Sequence, residues 1–411
     1  MERRIAVTGL GAVTSFGVGV NVLWKNAEEG KSGISLISSF DTNGFEVRIA
    51  GEIKNFKPED YIDARQTRNI DRFSQLALVA ADEAFKDSGL ELEKLDLKNC
   101  GVLVGTGIGG LLEIEAQHKR LLEKGPSKVN PFMIPKLMAN AASANISIKY
   151  GFLGPSFACV SACASSNHSL AMAAEMIRNA QADVVFAGGS EATVTPLAMA
   201  GFTSMGALSR RNDEPEKASR PFDKDRDGFV MGEGAGVIIF EEMEHAKRRN
   251  ARIYTEVIGY GMSSDAFKIA APDPEGTGAV DSMVNALKNS KLNPGDIDYI
   301  NAHGTSTPLG DESETVAIKK VFKEHAKKLM VSSTKSMIGH LLGASGGVEL
   351  IVTILSIYKG IVTPTINYET PDPKCDLDYV PNVSRQFQIT CAMSNSFGFG
   401  GHNASIVVKK A

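Results

Sequence analysis

Apolar, β-branched runs alternate along the chain with longer segments in which apolar residues recur every three or four positions. The runs predict strands over 4–9, 100–105, 183–188, 235–241, 253–259, 297–302, 329–333, 389–395 and 404–409. The longer segments predict helices over 71–87, 164–179, 276–290, 311–324 and 346–358. Strands interleaved with helices of this length define an α/β fold.

The pattern also repeats. Ala84-Phe85-Lys86-Asp87-Ser88-Gly89-Leu90 precedes a strand and Gly105-Thr106-Gly107, while Ala286-Leu287-Lys288-Asn289-Ser290-Lys291-Leu292 precedes a strand and His303-Gly304-Thr305. The opening strands match as well, Val7-Thr8-Gly9-Leu10-Gly11 against Val257-Ile258-Gly259-Tyr260-Gly261. Matches in the same order within both halves point to an internal duplication. The charged stretch Glu241 to Asn250 is the natural boundary, giving an N-terminal half over 1–250 and a C-terminal half over 251–411. Two such halves predict a five-layered α/β/α/β/α body.

Charge and composition narrow the partners. With 44 Lys and Arg against 48 Asp and Glu, the net charge of −4 gives no global attraction for nucleic acid or an anionic membrane. No apolar stretch is read as reaching the length of about 18 residues that a bilayer needs, so no membrane span is expected. Arg3 and Arg4 lead straight into a strand-like run, so no signal peptide is expected. The five cysteines have no CxxC or zinc-ligand spacing and the seven histidines no HExxH, so neither a disulfide framework nor a structural metal is expected. A reduced, cytoplasmic setting fits.

Three residues carry candidate chemistry. Phe157 to Ala162 reads as a strand ending in a sharp turn, with a helix following Cys163. Free N–H groups and the helix dipole there favour the thiolate, the reactive form of cysteine. The alternative is a small buried hydrophobe. His303 stands at the C-terminal end of the 297–302 strand in His303-Gly304-Thr305-Ser306-Thr307, and His340 closes a second loop after a strand. Ligands in α/β folds gather at that edge. Either ring alone has an equally good reading as a satisfied core histidine; two in Gly/Ser/Thr-rich loops suggest a shared site.

Ala162-Cys163-Ala164-Ser165, His303-Gly304-Thr305-Ser306-Thr307, Lys335-Ser336-Met337-Ile338-Gly339-His340 and Asn395-Ser396-Phe397-Gly398-Phe399-Gly400-Gly401 resemble the active-site motifs of the elongating β-ketoacyl-acyl-carrier-protein synthases, in order and spacing. The resemblance runs from residue 3 to residue 409 and implies the thiolase fold. It implies that Cys163 takes an acyl group from acyl carrier protein, with backbone N–H groups of Cys163 and Phe399 as the oxyanion hole. His303 and His340, neutral or cationic, would then stabilise the enolate formed as malonyl carrier protein loses carbon dioxide. It further implies that Lys335 tunes the site, with Glu349 as its buried partner. An exposed lysine and a solvated helix-face glutamate are the alternatives. Phe399, flanked by Gly398 and Gly400, would gate the acyl pocket; Ile108 would line it, plain packing being the alternative. Thr305 and Thr307 would meet the phosphopantetheine arm, which arrives on the carrier, so no resident cofactor is implied. Arg65, Arg68, Lys128, Arg210 and Arg211 form a candidate patch for the acidic carrier, and a homodimer through the N-terminal sheets is implied.

Asp311 and Glu314 are read as helix-opening carboxylates. Three positions depart from the resembling family: Ser166 where Gly is usual, His402 where Thr is usual, and Lys268 where His is frequent. Other readings are weaker. Gly105-x-Gly107-x-x-Gly110 matches a dinucleotide fingerprint formally, but without a clear helix and acidic residue in a βαβ unit. A thiolase would need a second catalytic cysteine, and Cys391 lies on a strand-like run before the glycine loop. A non-catalytic chain-length partner would lack Cys163. A polyketide ketosynthase would share the chemistry.

Overall fold

The computed structural model describes residues 3–411. Its main strands are β1 (Ile5–Thr14), β2 (Cys100–Gly105), β3 (Ser156–Phe157), β4 (Val184–Glu191), β5 (Gly234–Glu242), β6 (Thr255–Ser264), β7 (Tyr299–Asn301), β8 (Met330–Ser332), β9 (Cys391–Gly398) and β10 (His402–Lys410). The helices that pack on them are α1 (Arg72–Ser88), α2 (Ala141–Tyr150), α3 (Ser165–Arg178), α4 (Thr277–Ser290), α5 (Pro308–Phe322) and α6 (Ser345–Lys359). The strands run β8-β7-β9-β10-β6-β1-β5-β4-β2-β3 in one eleven-stranded sheet, with the short Gly17–Val18 strand paired to β1.

The expected duplication is visible in the pairing. From the centre outward, each half reads antiparallel, antiparallel, parallel, parallel: β1-β5-β4-β2-β3 on one side, β6-β10-β9-β7-β8 on the other. The halves join where β1 meets β6 antiparallel, through Ile5↔Val257, Ala6↔Glu256 and Val7↔Thr255. The repeat that equates Val7 with Val257 equates Ala6 with Glu256, so the local two-fold passes through that residue pair.

Each half uses the same packing device. A Cβ on Gly11 would stand 1.9 Å from the Ala80 carbonyl of α1, and one on Gly261 would stand 2.0 Å from the Ser282 carbonyl of α4. Only glycine lets strand and helix backbones approach so closely. Helices α1 and α4 therefore cover the outer faces, while α3 and α6 lie between the half-sheets, each touching strands of both. The layers are those the sequence predicts.

Leu342–Lys359 corrects the reading that no apolar stretch reaches bilayer length. It does by length and hydropathy, but 89% of it is buried. It is apolar all round because it is the middle layer, pressed between two sheets.

Helix Leu111–Lys124 has no counterpart in the sequence reading. Its buried side chains are Glu113 and Gln117, while Leu112, Leu121 and Leu122 face outward, so no apolar stripe marks a core face. The strand expected before Cys163 shrinks to Ser156–Phe157. The predicted 311–324 helix starts earlier, at Pro308, where Thr307 caps it by accepting from Gly310 N–H at 3.2 Å.

Candidate active site

The nucleophile turn is tight. Ala162 has φ 51°, left-handed for a residue with a Cβ, and such strain persists only where the surroundings impose it. Ser165 imposes it here: its hydroxyl donates to the Ala162 carbonyl at 2.7 Å and accepts from Ser161 N–H at 2.9 Å. Cys163 is thereby presented two residues ahead of α3, its sulfur 3.0 Å from His340 Nε2. The backbone N–H groups of Phe399 and of Cys163 itself are directed at that sulfur.

Burial pushes the Cys163 thiol up to about 11, against the Lys335 charge and the two N–H groups; buried Glu191 adds to the rise. This corrects the expected thiolate. Desolvating the anion outweighs the favourable field at the turn, so the free enzyme carries a neutral thiol.

His303 follows β7. Its backbone N–H and that of Gly304 donate to the two oxygens of Glu314, at 2.8 and 2.7 Å. Glu314 is thus no helix cap: it reaches back from α5 to hold the histidine loop, and burial raises its carboxyl to about 7. Asp311 likewise accepts from Ser306 N–H (3.1 Å) and Phe222 N–H (2.8 Å). His340 Nδ1 meets Ser345 Oγ at 2.9 Å. The two imidazoles meet edge to face, centroids 5.3 Å apart at 84°. Burial first, then the Lys335 charge, hold both rings well below the usual histidine value. The sequence left their charge open; at neutral pH both are uncharged.

Ligand atoms of Cys163, His303 and His340 all lie within 4.8 Å of one another. These three could also hold a thiophilic cation once the thiol loses its proton. Behind them, Lys335 Nζ donates to Glu349 Oε1, each side chain only 1% exposed. That burial rules out the exposed lysine and solvated glutamate.

A cavity of about 590 Å³ opens onto this cluster. Ile108, Cys163, His303, Thr305, Thr307, His340, Phe399 and Gly400 line it, together with Phe202, Phe229, Leu342 and Asp265, which the sequence reading did not single out. The aromatic residues form a series, from Phe399 to Phe202 (6.5 Å), to Phe229 (5.5 Å), to His340 (5.4 Å). No spacing in the sequence marks Phe202 or Phe229, which reach the cavity from the segment between β4 and β5. The Phe399 loop runs hard against the nucleophile turn: a Cβ on Gly398 would stand 2.9 Å from the Ser161 carbonyl. Asn403 ties the loop's far end to Asp265 at 2.6 Å.

The departures have places too. Ser166 donates its hydroxyl to the Gly343 carbonyl, His402 stands against Gly400, and Lys268 lines the cavity.

Comparison with known proteins agrees with this geometry. The family description "Beta-ketoacyl synthase, N-terminal domain" matches residues 2–246 and "Beta-ketoacyl synthase, C-terminal domain" matches residues 254–369. The chain belongs to the beta-ketoacyl synthase family. It is 49% identical over 409 residues to the 3-oxoacyl-[acyl-carrier-protein] synthase 2 of Coxiella burnetii, covering 100% of this chain and 99% of that one. The Synechocystis protein of the same name is also 49% identical, with 100% and 98% coverage. Among solved structures, a type II polyketide ketosynthase in complex with its acyl-carrier protein superposes with TM-score 0.93 at 36% identity, covering both chains fully. A beta-ketoacyl synthase from Burkholderia phymatum superposes with TM-score 0.92 at 32% identity, again with full coverage.

Proposed function

We propose that this protein condenses an acyl-acyl-carrier-protein with malonyl-acyl-carrier-protein to give a 3-oxoacyl-acyl-carrier-protein, lengthening fatty acids by two carbons. The carrying observation is the buried Cys163 sulfur 3.0 Å from His340 Nε2, with uncharged His303 beside it at the cavity floor.

In the first half-reaction the Cys163 sulfur attacks the acyl thioester carbon. The thiol proton leaves on the departing carrier thiol as the acyl–sulfur bond to Cys163 forms. The N–H groups of Cys163 and Phe399 stabilise the oxyanion, and one such donor is typically worth about 3 kcal/mol of barrier. In the second, neutral His303 and His340 donate N–H to the malonyl thioester oxygen as carbon dioxide departs. The resulting carbanion attacks the acyl carbon and frees the Cys163 sulfur. Two neutral donors suit this step, because negative charge gathers on one oxygen at a buried site. Lys335 and Glu349 act through the histidines, and Phe399 gates the acyl pocket beside Ile108. Thr305 and Thr307, joined at 3.0 Å, face the pantetheine arm. No resident cofactor is needed.

The carrier docks on basic residues. Arg65, Arg68 and Lys128 form no ion pair among the described residues, whereas Arg210 pairs with Glu46 at 2.9 Å and Arg211 lies 3.7 Å from Asp227. The first three are the freer set. The protein works as a homodimer in the cytoplasm, an assignment consistent with its five free cysteines and its edge strand β3, which pairs on one side only. Each sequence half is a thiolase-like unit. A polyketide ketosynthase is the second reading, favoured by the polyketide structure above; the 49% identical relatives favour the first.

Mass spectrometry after mixing with acyl carrier proteins of graded chain length tests the proposal. The expected result is acylation confined to Cys163, then a ketoacyl product two carbons longer on adding malonyl carrier protein. No acyl adduct with any chain overturns it.

A further inference from the structure

Glu191 ends β4 fully buried, and the condensing reaction as described leaves it unused. Its carboxylate accepts four hydrogen bonds. Oε1 takes the Thr106 hydroxyl at 2.8 Å and the Ile108 N–H at 3.3 Å. Oε2 takes the Gly107 N–H at 2.7 Å and the Gly343 N–H at 2.9 Å. Gly107 and Ile108 line the cavity from the N-terminal half; Gly343 follows His340 in the C-terminal half. The carboxylate is therefore a strut between the two.

The glycines around it are shaped to admit it. A Cβ on Gly107 or on Gly343 would stand 2.8 Å from Oε2. A carboxylate withdrawn from water is tolerated only when its lone pairs are so filled. The Gly343 peptide is held from its other side as well, where Ser166 Oγ on α3 donates to the Gly343 carbonyl. Gly189 on β4 leaves the space this hydroxyl fills, since a Cβ there would stand 2.0 Å from it.

Between His340 and Gly343, Leu342 lines the cavity with φ 43°, left-handed for a residue with a bulky side chain. Backbone of this kind relaxes unless its neighbours over-determine it. Its neighbours on the chain are fixed on both sides: His340 N–H donates to Val230 O at 2.7 Å, and Gly343 is gripped as above.

We propose that Glu191 and Ser166 are positioning residues: they grip Gly343, hold Leu342 in its left-handed turn, and so set His340 against Cys163 and Leu342 against Ile108. Glu191 thereby couples the shape of the acyl pocket to the placement of a reacting imidazole. Ser166 supplies the half of the grip that holds the Gly343 carbonyl. The inference rests on the condensing reading above.

The test uses Glu191→Gln and Ser166→Gly in the full-length enzyme and times the two half-reactions separately. Acylation of Cys163 by carriers of graded chain length is read by mass spectrometry, and transfer to malonyl carrier protein by single turnover. Ser166→Gly is expected to lower condensation relative to acylation about threefold to tenfold, the effect of one hydrogen bond. Glu191→Gln is expected to lower it about tenfold to a hundredfold and to change the longest chain accepted. The inference is overturned if both variants keep the wild-type ratio and chain-length profile, or if both half-reactions fall in proportion to a loss of thermal stability. If Glu191→Gln does not fold, the ratio in Ser166→Gly decides alone. Wild-type enzyme that never forms acyl-Cys163 refutes the condensing reading instead. Iodoacetamide alkylation of Cys163 at pH 8 then decides: a change of about threefold or more in Ser166→Gly, which alters no charge and removes one hydrogen bond from the grip, supports the positioning role, and an unchanged rate overturns it.

Discussion

At the scale of single residues, the site is governed by desolvation. Cys163, His303 and His340 are all buried, and burial moves each toward its neutral form. The neutral histidines have a cost in acid. Their folded values lie below the ordinary 6.5, so below pH 6.5 the unfolded chain binds protons that the native site refuses, and stability falls with pH. His303→Asn removes one such group. Between pH 7 and pH 5 the variant should lose about 2 kcal/mol less stability than wild type, measured by urea unfolding at both pH values. The Lys335–Glu349 pair makes a second case. Removing one partner of a buried pair strands the other, at a typical cost of about 3–5 kcal/mol. Lys335→Met should show a loss of that order in denaturant titration, and Lys335→Met with Glu349→Leu should recover much of it.

The same scale shows where the sequence fell short. The three reacting residues were legible because each sits among small residues in a loop after an expected strand. Glu314 was not, because a carboxylate near a helix start has a sufficient explanation in capping; only the fold shows its oxygens turned back to the His303 loop. The thiolate expectation failed for a different reason: sequence places Cys163 near a helix terminus but does not reveal how little water reaches it. Glu191, Phe202 and Phe229 were invisible, since their contacts come from segments far apart in the chain.

At the scale of elements, strand glycines fix how closely helices sit on the sheet. Gly11→Ala should destabilise by about 2 kcal/mol or more, as overpacking against rigid backbone does, and Gly261→Ala should match it, being its counterpart in the other half. Gly295→Ala, with open space around it, should shift the melting temperature little. Comparable losses at Gly11 and Gly261 are what the repeated device requires; a large loss at one alone would argue against it. The five helices expected from periodicity lie within a few residues of their expected bounds, while Val20–Glu28 and Ala141–Tyr150, shorter and also packed through apolar residues, were not expected. Leu111–Lys124 was not either, because its apolar side chains point away from the body and its buried ones are polar.

At the scale of the whole molecule, the sheet ends on one side at β3, an edge of only two residues. Around that edge Ile148, Leu153 and Val160 are exposed by 80%, 69% and 57%. A strand paired on one side only, beside exposed apolar side chains, is a template for a second chain, and a second copy is the proposed occupant. Leu153→Asp with Val160→Glu should shift sedimentation from dimer to monomer. A wild-type protein sedimenting as a monomer at micromolar concentration would remove the dimer from the proposal.

The two-fold through Ala6 and Glu256 has a chemical corollary. Cys163 lies two residues ahead of α3 and His340 five residues ahead of α6, so the approaches to the two inner helices, one from each half, meet with these side chains 3.0 Å apart. Two identical polypeptides related by such an axis would carry the same loop on both approaches. Joined in one chain, the two approaches are free to differ, a sulfur on one side and an imidazole on the other.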